Sequence, residues 1–318
     1  MVLPVQISPA AFQQMLENDA GPWLPVVAEI CAAHQLPAAP LRAFRDGSNL
    51  VASVGEQVVV KIFPPFHRHQ WHSEHLTLAY LENRLSVPVP ELLASGQRKE
   101  GWTYVVMRQL PGQILEDVWP GLSLEEKKSL LTSIGQLMAE VHRLNGRPLP
   151  ALEPDWASFL QQQQAQAFAR HQRLGAPDWL LSGLHDFIRQ TAAGLPLRPE
   201  KVLLTGEYTP FNILVEPQAG AWRLSGMIDF GDAMLGPREY DWLGPCVFLG
   251  EGNAHLLRSF FRGYGADCSN PNGLRQGLLL LLLLHRYSNL DLQIRIPDWQ
   301  NRVDSIAGLA QLIWPDGF

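Results

Sequence analysis

Cysteine is scarce. The 318 residues contain three, Cys31, Cys246 and Cys268, far apart and without a Cys-x-x-Cys pair. Neither a disulfide framework nor a zinc site is indicated, and free buried thiols in a reducing cytosol are expected. Long apolar runs are missing too. The longest, Leu278–Leu284, has seven residues, against the roughly 18–20 needed to cross a bilayer. It reads as a helix buried on all sides. Near the start Pro4, Gln6, Ser8, Gln13 and Gln14 break any apolar stretch, so no secretory leader is expected and the chain reads as cytoplasmic. Positive charge is in deficit, with 25 Lys and Arg against 31 Asp and Glu, a net −6. A polyanion such as nucleic acid would be repelled on average, and a cationic small molecule attracted. No internal repeat or low-complexity linker is present, and 46% apolar residues exclude a disordered chain.

What is there divides by pattern. Residues 1–39 read as two helices. Ser8-Pro9 starts the first, Gly21-Pro22 ends it, and the second runs from about Trp23 to Ala33. Leu41–Phe44, Leu50–Val54 and Gln57–Phe63 are short β-branched runs separated by turn residues, the signature of antiparallel hairpins. A helix follows over about His69–Asn83, then strands at Glu91–Gly96 and Trp102–Arg108. From Pro111 on, the pattern is mainly helical. Ser123-Leu124-Glu125-Glu126 is a capping box, and two further helices are expected over 156–194. Strands return at Val202–Leu204, Phe211–Val215 and Trp222–Ile228, the last two turned by Pro217–Gly220. Helices at about 253–264, 272–290 and 299–313 close the chain.

Several residues stand out against this background. Lys61 lies in the apolar run Val58–Ile62. An edge-strand lysine facing water would explain it, and so would a lysine that contacts phosphates beneath a turn while a carboxylate holds it. Glu74, thirteen residues on in the next helix, is the candidate carboxylate. The turn Gly47-Ser48-Asn49 either closes over phosphates or is simply a hairpin turn. The segment Thr205-Gly-Glu-Tyr-Thr-Pro-Phe-Asn-Ile-Leu214, followed by Met227-Ile-Asp-Phe-Gly-Asp232, carries more information. The hairpin is expected to bring Asn212 and Asp229 together, so that a carboxylate and an amide oxygen offer hard ligands to Mg²⁺. Glu207, just upstream, is placed to receive the proton of an attacking hydroxyl. Singly, Asn and Asp are ordinary turn residues. The whole set in this order is not ordinary.

The set resembles the aminoglycoside phosphotransferase and choline kinase superfamily, whose signature reads roughly His-Gly-Asp-x-x-x-x-Asn and then Ile-Asp-Phe/Trp. Gly206, Asn212, Ile228, Asp229 and Phe230 match in register. The resemblance spans about residues 40–290. It implies an α+β, protein-kinase-like two-lobed fold, with a small antiparallel-sheet lobe and a larger, mainly helical lobe. The divisions implied are 1–39, a helical extension packed on the small lobe; 40–110, the nucleotide-binding lobe; and 111–318, the catalytic and substrate-binding lobe. It implies that Lys61, paired with Glu74, contacts the α and β phosphates and that Asn212 and Asp229 bind Mg²⁺. It also puts the backbone of Arg108 and Leu110 at the adenine edge and gives Asp241 a structural role. Two positions depart from the family pattern: Glu207 stands where the family has Asp, and Thr205 where it has His.

The function implied is an ATP- or GTP-dependent, Mg²⁺-dependent kinase that phosphorylates a hydroxyl of an aminoglycoside-like, amino-alcohol or sugar acceptor. Residues 113–318 hold 22 acidic against 17 basic residues, which mildly favours an amine-bearing acceptor. His142, His285 and Arg286 either line the acceptor pocket or are packing residues. No nucleic-acid or membrane partner is expected, and the chain is expected to act as a monomer or homodimer. The alternative is a pseudokinase that binds nucleotide or a partner with little turnover, because Glu207 replaces the usual Asp. A kinase acting on protein side chains is disfavoured, since no Ala-Pro-Glu segment follows the metal loop.

Overall fold

Strand β3 (Val58–Phe63) explains much of the first half of the chain. Its side chains alternate between two faces, and both faces are covered, which is why the run reads as nearly continuous apolar sequence. It is the middle strand of a five-stranded antiparallel sheet of order β1-β2-β3-β5-β4, built with β1 (Leu41–Phe44), β2 (Leu50–Val54), β4 (Leu92–Gln97) and β5 (Thr103–Arg108). On one face Leu50, Ala52, Val60, Ile62, Trp102 and Val106 pack against Phe12 of α1 (Pro9–Glu17) and Val26, Val27 and Ile30 of α2 (Leu24–Ala33). Each of these large side chains contributes about 1.5–3 kcal/mol when fully buried. The Trp102 indole completes the seal by donating to the Pro4 carbonyl at 2.7 Å. Lys61 alternates away from that core, toward α3 (Arg68–Leu81), which contacts β3, β4 and β5.

The structure, a computed structural model, describes residues 3–17, 21–44, 47–144, 149, 152–192, 200–206 and 208–318. These divide into two compact units. The first comprises residues up to Pro111 together with Gly226–Ala233, and the second Gly112–Ser225 with Met234–Phe318.

The second unit is built mainly of helices. The two-residue β6 (Gln113–Ile114) is followed by α4 (Leu115–Val118) and by α5 (Leu124–Arg143), opened by the full Ser123–Glu126 capping box. Then come α6 (Trp156–Arg173) and α7 (Asp178–Ala192). After β7 (Val202–Leu204), the strands β8 (Ile213–Gln218) and β9 (Ala221–Met227) form a hairpin that adds β6 at its edge. Strand β10 (Met234–Gly236) pairs antiparallel with β7. The remaining helices are α8 (Ala254–Tyr264), α9 (Pro271–Leu283), α10 (Leu290–Gln293), α11 (Trp299–Arg302) and α12 (Ile306–Ile313). The leucine run of α9 is buried throughout, as its all-apolar surface requires. Helices α5 and α8 cross closely, because a Cβ on Gly263 would stand 2.2 Å from the Thr132 carbonyl oxygen.

Several expected boundaries move. The hairpin turn is Ala219-Gly220 alone, both at positive φ, a two-residue turn whose twist suits the flanking strands. Pro217 therefore lies within β8. The helix expected to reach residue 290 stops at Leu283, where polar Arg286, Ser288 and Asn289 begin, and the last expected helix is split. Ser305 caps α12 by accepting from the Gly308 N–H, so α11 and α12 are separate pieces. Strands β6 and β10 are too short to leave a periodic signal. Cys31 and Cys246 are free and buried, as expected; Cys268 is free but only half-buried.

Candidate functional site

In the first unit three charged side chains converge. Lys61, on the α3-facing side of β3, places its Nζ 2.7 Å from Glu74 Oε2 and 2.8 Å from Asp229 Oδ1. The outward-facing reading of Lys61 is thereby excluded: its side chain is 7% exposed and that of Glu74 1%. The Asp229 side chain keeps 39% exposure. Burial alone would push the Lys61 ammonium down, but the Asp229 and Glu74 carboxylates more than offset this and its pKa is raised. Two carboxylates share one ammonium. Burial therefore pushes the inner one, Glu74, up to about 7 against the pull of Lys61, and Asp229 adds to the rise.

Asp229 itself is held in a left-handed backbone conformation at φ 65°, an uncommon state for a residue with a Cβ and typical of functional sites. Its Oδ1 also accepts the Gly231 N–H at 3.2 Å. The loop packs closely at Gly231, where a Cβ would stand 3.3 Å from Gln70 Cβ.

The turn Gly47-Ser48-Asn49 leads into β2. Gly47 has φ 135° and open space beside it, whereas Asn49 is buried. The Asn49 amide donates to Gln70 Oε1 at 3.1 Å, and its oxygen meets His67 Nδ1 at 3.0 Å. This side chain works inward, whereas residues 47 and 48 are exposed. At the end of β5 the Arg108 side chain is exposed and paired with Glu91 at 2.6 Å. Its N–H donates to the Glu91 carbonyl and that of Gln109 to the Gln57 carbonyl.

In the second unit β7 runs into Thr205 and Gly206. Glu207 lies outside the described residues. The preceding backbone is clamped by Asp241, which accepts the Thr205 N–H at 3.0 Å and the Gly206 N–H at 2.8 Å. Asp241 is buried and meets His142 Nε2 at 3.1 Å, while His142 Nδ1 meets the Tyr264 hydroxyl at 3.0 Å. Burial, with the Asp241 carboxylate adding to it, holds the Tyr208 hydroxyl well above the usual range. Farther along, the Asn212 N–H donates to the Thr209 carbonyl at 3.1 Å. Phe211 beside it is 45% exposed, in edge contact with Phe248.

His142 is thus a packing and bracing residue. His285 stacks on Tyr240 with centroids 4.9 Å apart, and the Arg286 guanidinium lies 5.0 Å from the centre of the Phe159 ring. Sequence reasoning missed Gln70, although its position one helical turn before Glu74 is a readable signal. It also missed the contact by which Asp241 acts.

Among the described residues no three His, Cys, Asp or Glu side chains gather to form a metal cage. Zinc of the structural kind therefore does not fit these residues. The partly exposed Asp229 carboxylate is the kind of ligand that suits Mg²⁺, which is usually held by one or two carboxylates and completes its shell with phosphate oxygens and water. The negative balance of the Lys61–Glu74–Asp229 group favours such a cation.

A sequence model of the phosphotransferase enzyme family matches residues 41–277, about three quarters of the chain. The chain belongs to that family. As a member it is a phosphotransferase, an enzyme with an alcohol group as acceptor. The solved structures it resembles agree on the fold. The GDP complex of wild-type aminoglycoside 2'-phosphotransferase-IIIa superimposes with a TM-score of 0.70 at 18% identity, over 93% of this chain and 100% of that one. The streptomycin–ATP ternary complex of an aminoglycoside 2''-phosphotransferase gives 0.60 at 16%, over 85% and 96%. Aminoglycoside 3'-phosphotransferase of type VIII gives 0.58 at 20%, over 81% and 97%. No curated protein matches by sequence. The expected protein-kinase-like fold is therefore the observed one. Among the described residues no helix of this phosphotransferase is long and apolar enough to cross a membrane.

Proposed function

We propose that the chain is an ATP- or GTP-dependent, Mg²⁺-dependent kinase that transfers the γ-phosphoryl group to a hydroxyl of an aminoglycoside-like, amino-alcohol or sugar acceptor. The observation that carries this reading is the buried Lys61, held between Glu74 and Asp229. A fixed ammonium beside a metal-binding carboxylate is what a triphosphate requires.

Each residue then has a task. Lys61 contacts the α and β phosphates, and Glu74 keeps its ammonium in place. The backbone of Gly47 and Ser48, with Asn49 anchoring the turn from below, covers the phosphates. The Arg108 carbonyl and the Leu110 backbone take the adenine edge, since the Arg108 N–H is already used by Glu91. Asp229 and Asn212 would hold Mg²⁺, which supplies positive charge to the phosphate oxygens when bound. Glu207 orients the acceptor hydroxyl and accepts its proton. Asp241 fixes the backbone just before Glu207, so that the longer side chain starts from a rigid base. This matters because a displacement of about 1 Å can cost roughly a hundredfold in rate.

The excess of acidic residues over 113–318 supports an amine-bearing acceptor, and the net charge of −6 speaks against nucleic acid as partner. We read the chain as a cytoplasmic monomer or homodimer. The free thiols at Cys31, Cys246 and Cys268 accord with a reducing compartment.

Thermal melting with Mg-ATP, Mg-GTP and no ligand tests the nucleotide assignment. A ligand at a hundred times its Kd stabilises by about 2.7 kcal/mol. Lys61→Ala should weaken binding about tenfold and roughly halve that gain. If no nucleoside triphosphate with Mg²⁺ raises the transition at millimolar concentration, the reading fails.

A further inference from the structure

Gln70 lies in the first turn of α3, one turn before Glu74 on the same face, and is 4% exposed. Its carboxamide faces two segments. Oε1 accepts from Asn49 Nδ2 at 3.1 Å, in the turn ahead of β2, and Nε2 donates to Asp232 Oδ1 at 3.4 Å, in the loop that carries Asp229. That loop lies directly on α3: a Cβ on Gly231 would be 3.3 Å from Gln70 Cβ, and Glu74 accepts the Phe230 N–H.

The polarity of the link is fixed from one end. The carboxylate oxygen of Asp232 can only accept, so Gln70 must present its NH₂ there and its oxygen to Asn49. Asn49 must then present its own NH₂ to Gln70 and its oxygen to His67, whose Nδ1 meets that oxygen at 3.0 Å. Asp232, Gln70 and Asn49 are all at least nine-tenths buried, where such directional bonds hold a single arrangement. Only a carboxamide fits the middle position. Glutamate cannot donate to Asp232, and methionine makes neither bond.

We propose that Gln70 is a positioning residue that ties the 47–49 turn to the 229–232 loop, so that nucleotide phosphates and the divalent cation strengthen each other's binding. The proposal rests on the reading above, in which phosphates lie under that turn and the cation sits at Asp229. Such a coupling is reciprocal and appears as a ratio of affinities.

The test measures ATP binding to the full-length chain by calorimetry, once with Mg²⁺ and once with EDTA, for the wild type, Gln70→Met and Gln70→Glu. The wild type should bind more tightly with Mg²⁺. In both variants that enhancement should shrink about tenfold, while affinity in EDTA changes less than threefold. Gln70→Glu keeps the acceptor for Asn49 but replaces the donor to Asp232 by a repelling carboxylate, and Gln70→Met removes both bonds without adding charge, so a shrinkage shared by the two variants assigns the effect to the link. Should Gln70→Met fail to fold, Asn49→Leu cuts the same link from the turn side and should show the same shrinkage. A variant that melts lower but keeps the wild-type ratio has only a packing role at this position, and that result overturns the proposal. Wild type that binds ATP equally with and without Mg²⁺ overturns the metal assignment and this proposal together. Absence of any ATP or GTP binding by the wild type overturns the proposed function as well.

Discussion

Replacing Asp241 by asparagine changes one atom and should be costly. The carboxylate is fully buried and accepts three hydrogen bonds, from the Thr205 N–H, the Gly206 N–H and His142 Nε2. Bonds to a charged acceptor contribute about 1.5–3 kcal/mol each. Asparagine keeps one acceptor oxygen and turns an NH₂ toward a donor. At least one bond is lost and one buried N–H is left without a partner, a further cost of about 1–3 kcal/mol. The sum is about 2.5–6 kcal/mol, centred on the roughly 3–5 kcal/mol usual for removing one partner from a buried charged network. At about 2–4 °C per kcal/mol for a domain of this size, the melting temperature should fall by roughly 6–20 °C over that central range. The local readout is sharper. Backbone amide hydrogen exchange should accelerate at least about tenfold at whichever of Thr205 and Gly206 faces the new NH₂, since the two amides bond different oxygens of Asp241 and each 1.4 kcal/mol of lost protection is about a factor of ten. Asp186→Asn is the control, because its pair with Arg189 is exposed on both sides and should matter by less than about 1 kcal/mol. If Asp241→Asn melts with the wild type and the two amides exchange at the wild-type rate, the clamp does not hold the loop.

Two further outcomes follow from the same geometry. Burial, reinforced by nearby His69 and Lys61, holds the His67 imidazole down at about 4, below its unfolded value near 6.5. The neutral ring is therefore favoured by folding, so stability is present above pH 6.5 and is lost as pH falls toward 4. His67→Asn should flatten that acid limb in urea titrations by about 1–2 kcal/mol after allowance for solvent screening; an unchanged slope would refute the assignment. Gly263→Ala would drive a Cβ into the Thr132 backbone of α5 and should cost about 1–3 kcal/mol or more in chemical denaturation. Gly121→Ala, with open space around it, should stay within about 0.5 kcal/mol.

The fold was legible wherever periodicity and punctuation agreed. Turn residues at short intervals marked the five strands, and Ser123 with Glu126 marked α5. The leucine run could only be a buried helix. What the sequence hid was of two kinds. Strands β6 and β10 have two and three residues and become strands only by pairing with β8 and β7, contacts remote in sequence. The polar bracing was hidden for a related reason. Asp241 reaches back 36 residues to the Gly206 region and His142 reaches forward 99 to Asp241, and nothing local signals such a pair. Lys61 was the reverse case. A lysine in an apolar strand already raised the question of a partner, and the helix thirteen residues later held it. Gln70 was readable from its spacing to Glu74, but only the position of Asp232 shows what it does.

The central claim is that this chain moves a phosphoryl group to a hydroxyl, with Glu207 as the base. The direct measurement incubates the wild type and Glu207→Gln with Mg-ATP or Mg-GTP and a panel of aminoglycosides, amino alcohols and sugars, reading by mass spectrometry the product that carries one added phosphoryl group. The account predicts such a product from at least one acceptor, with turnover lowered roughly 10²–10⁴-fold in Glu207→Gln and nucleotide affinity nearly unchanged. Nucleotide binding without product from any acceptor, or full turnover by Glu207→Gln, would contradict it. The first result would favour a nucleotide-binding pseudokinase, and the second would mean that the base lies elsewhere.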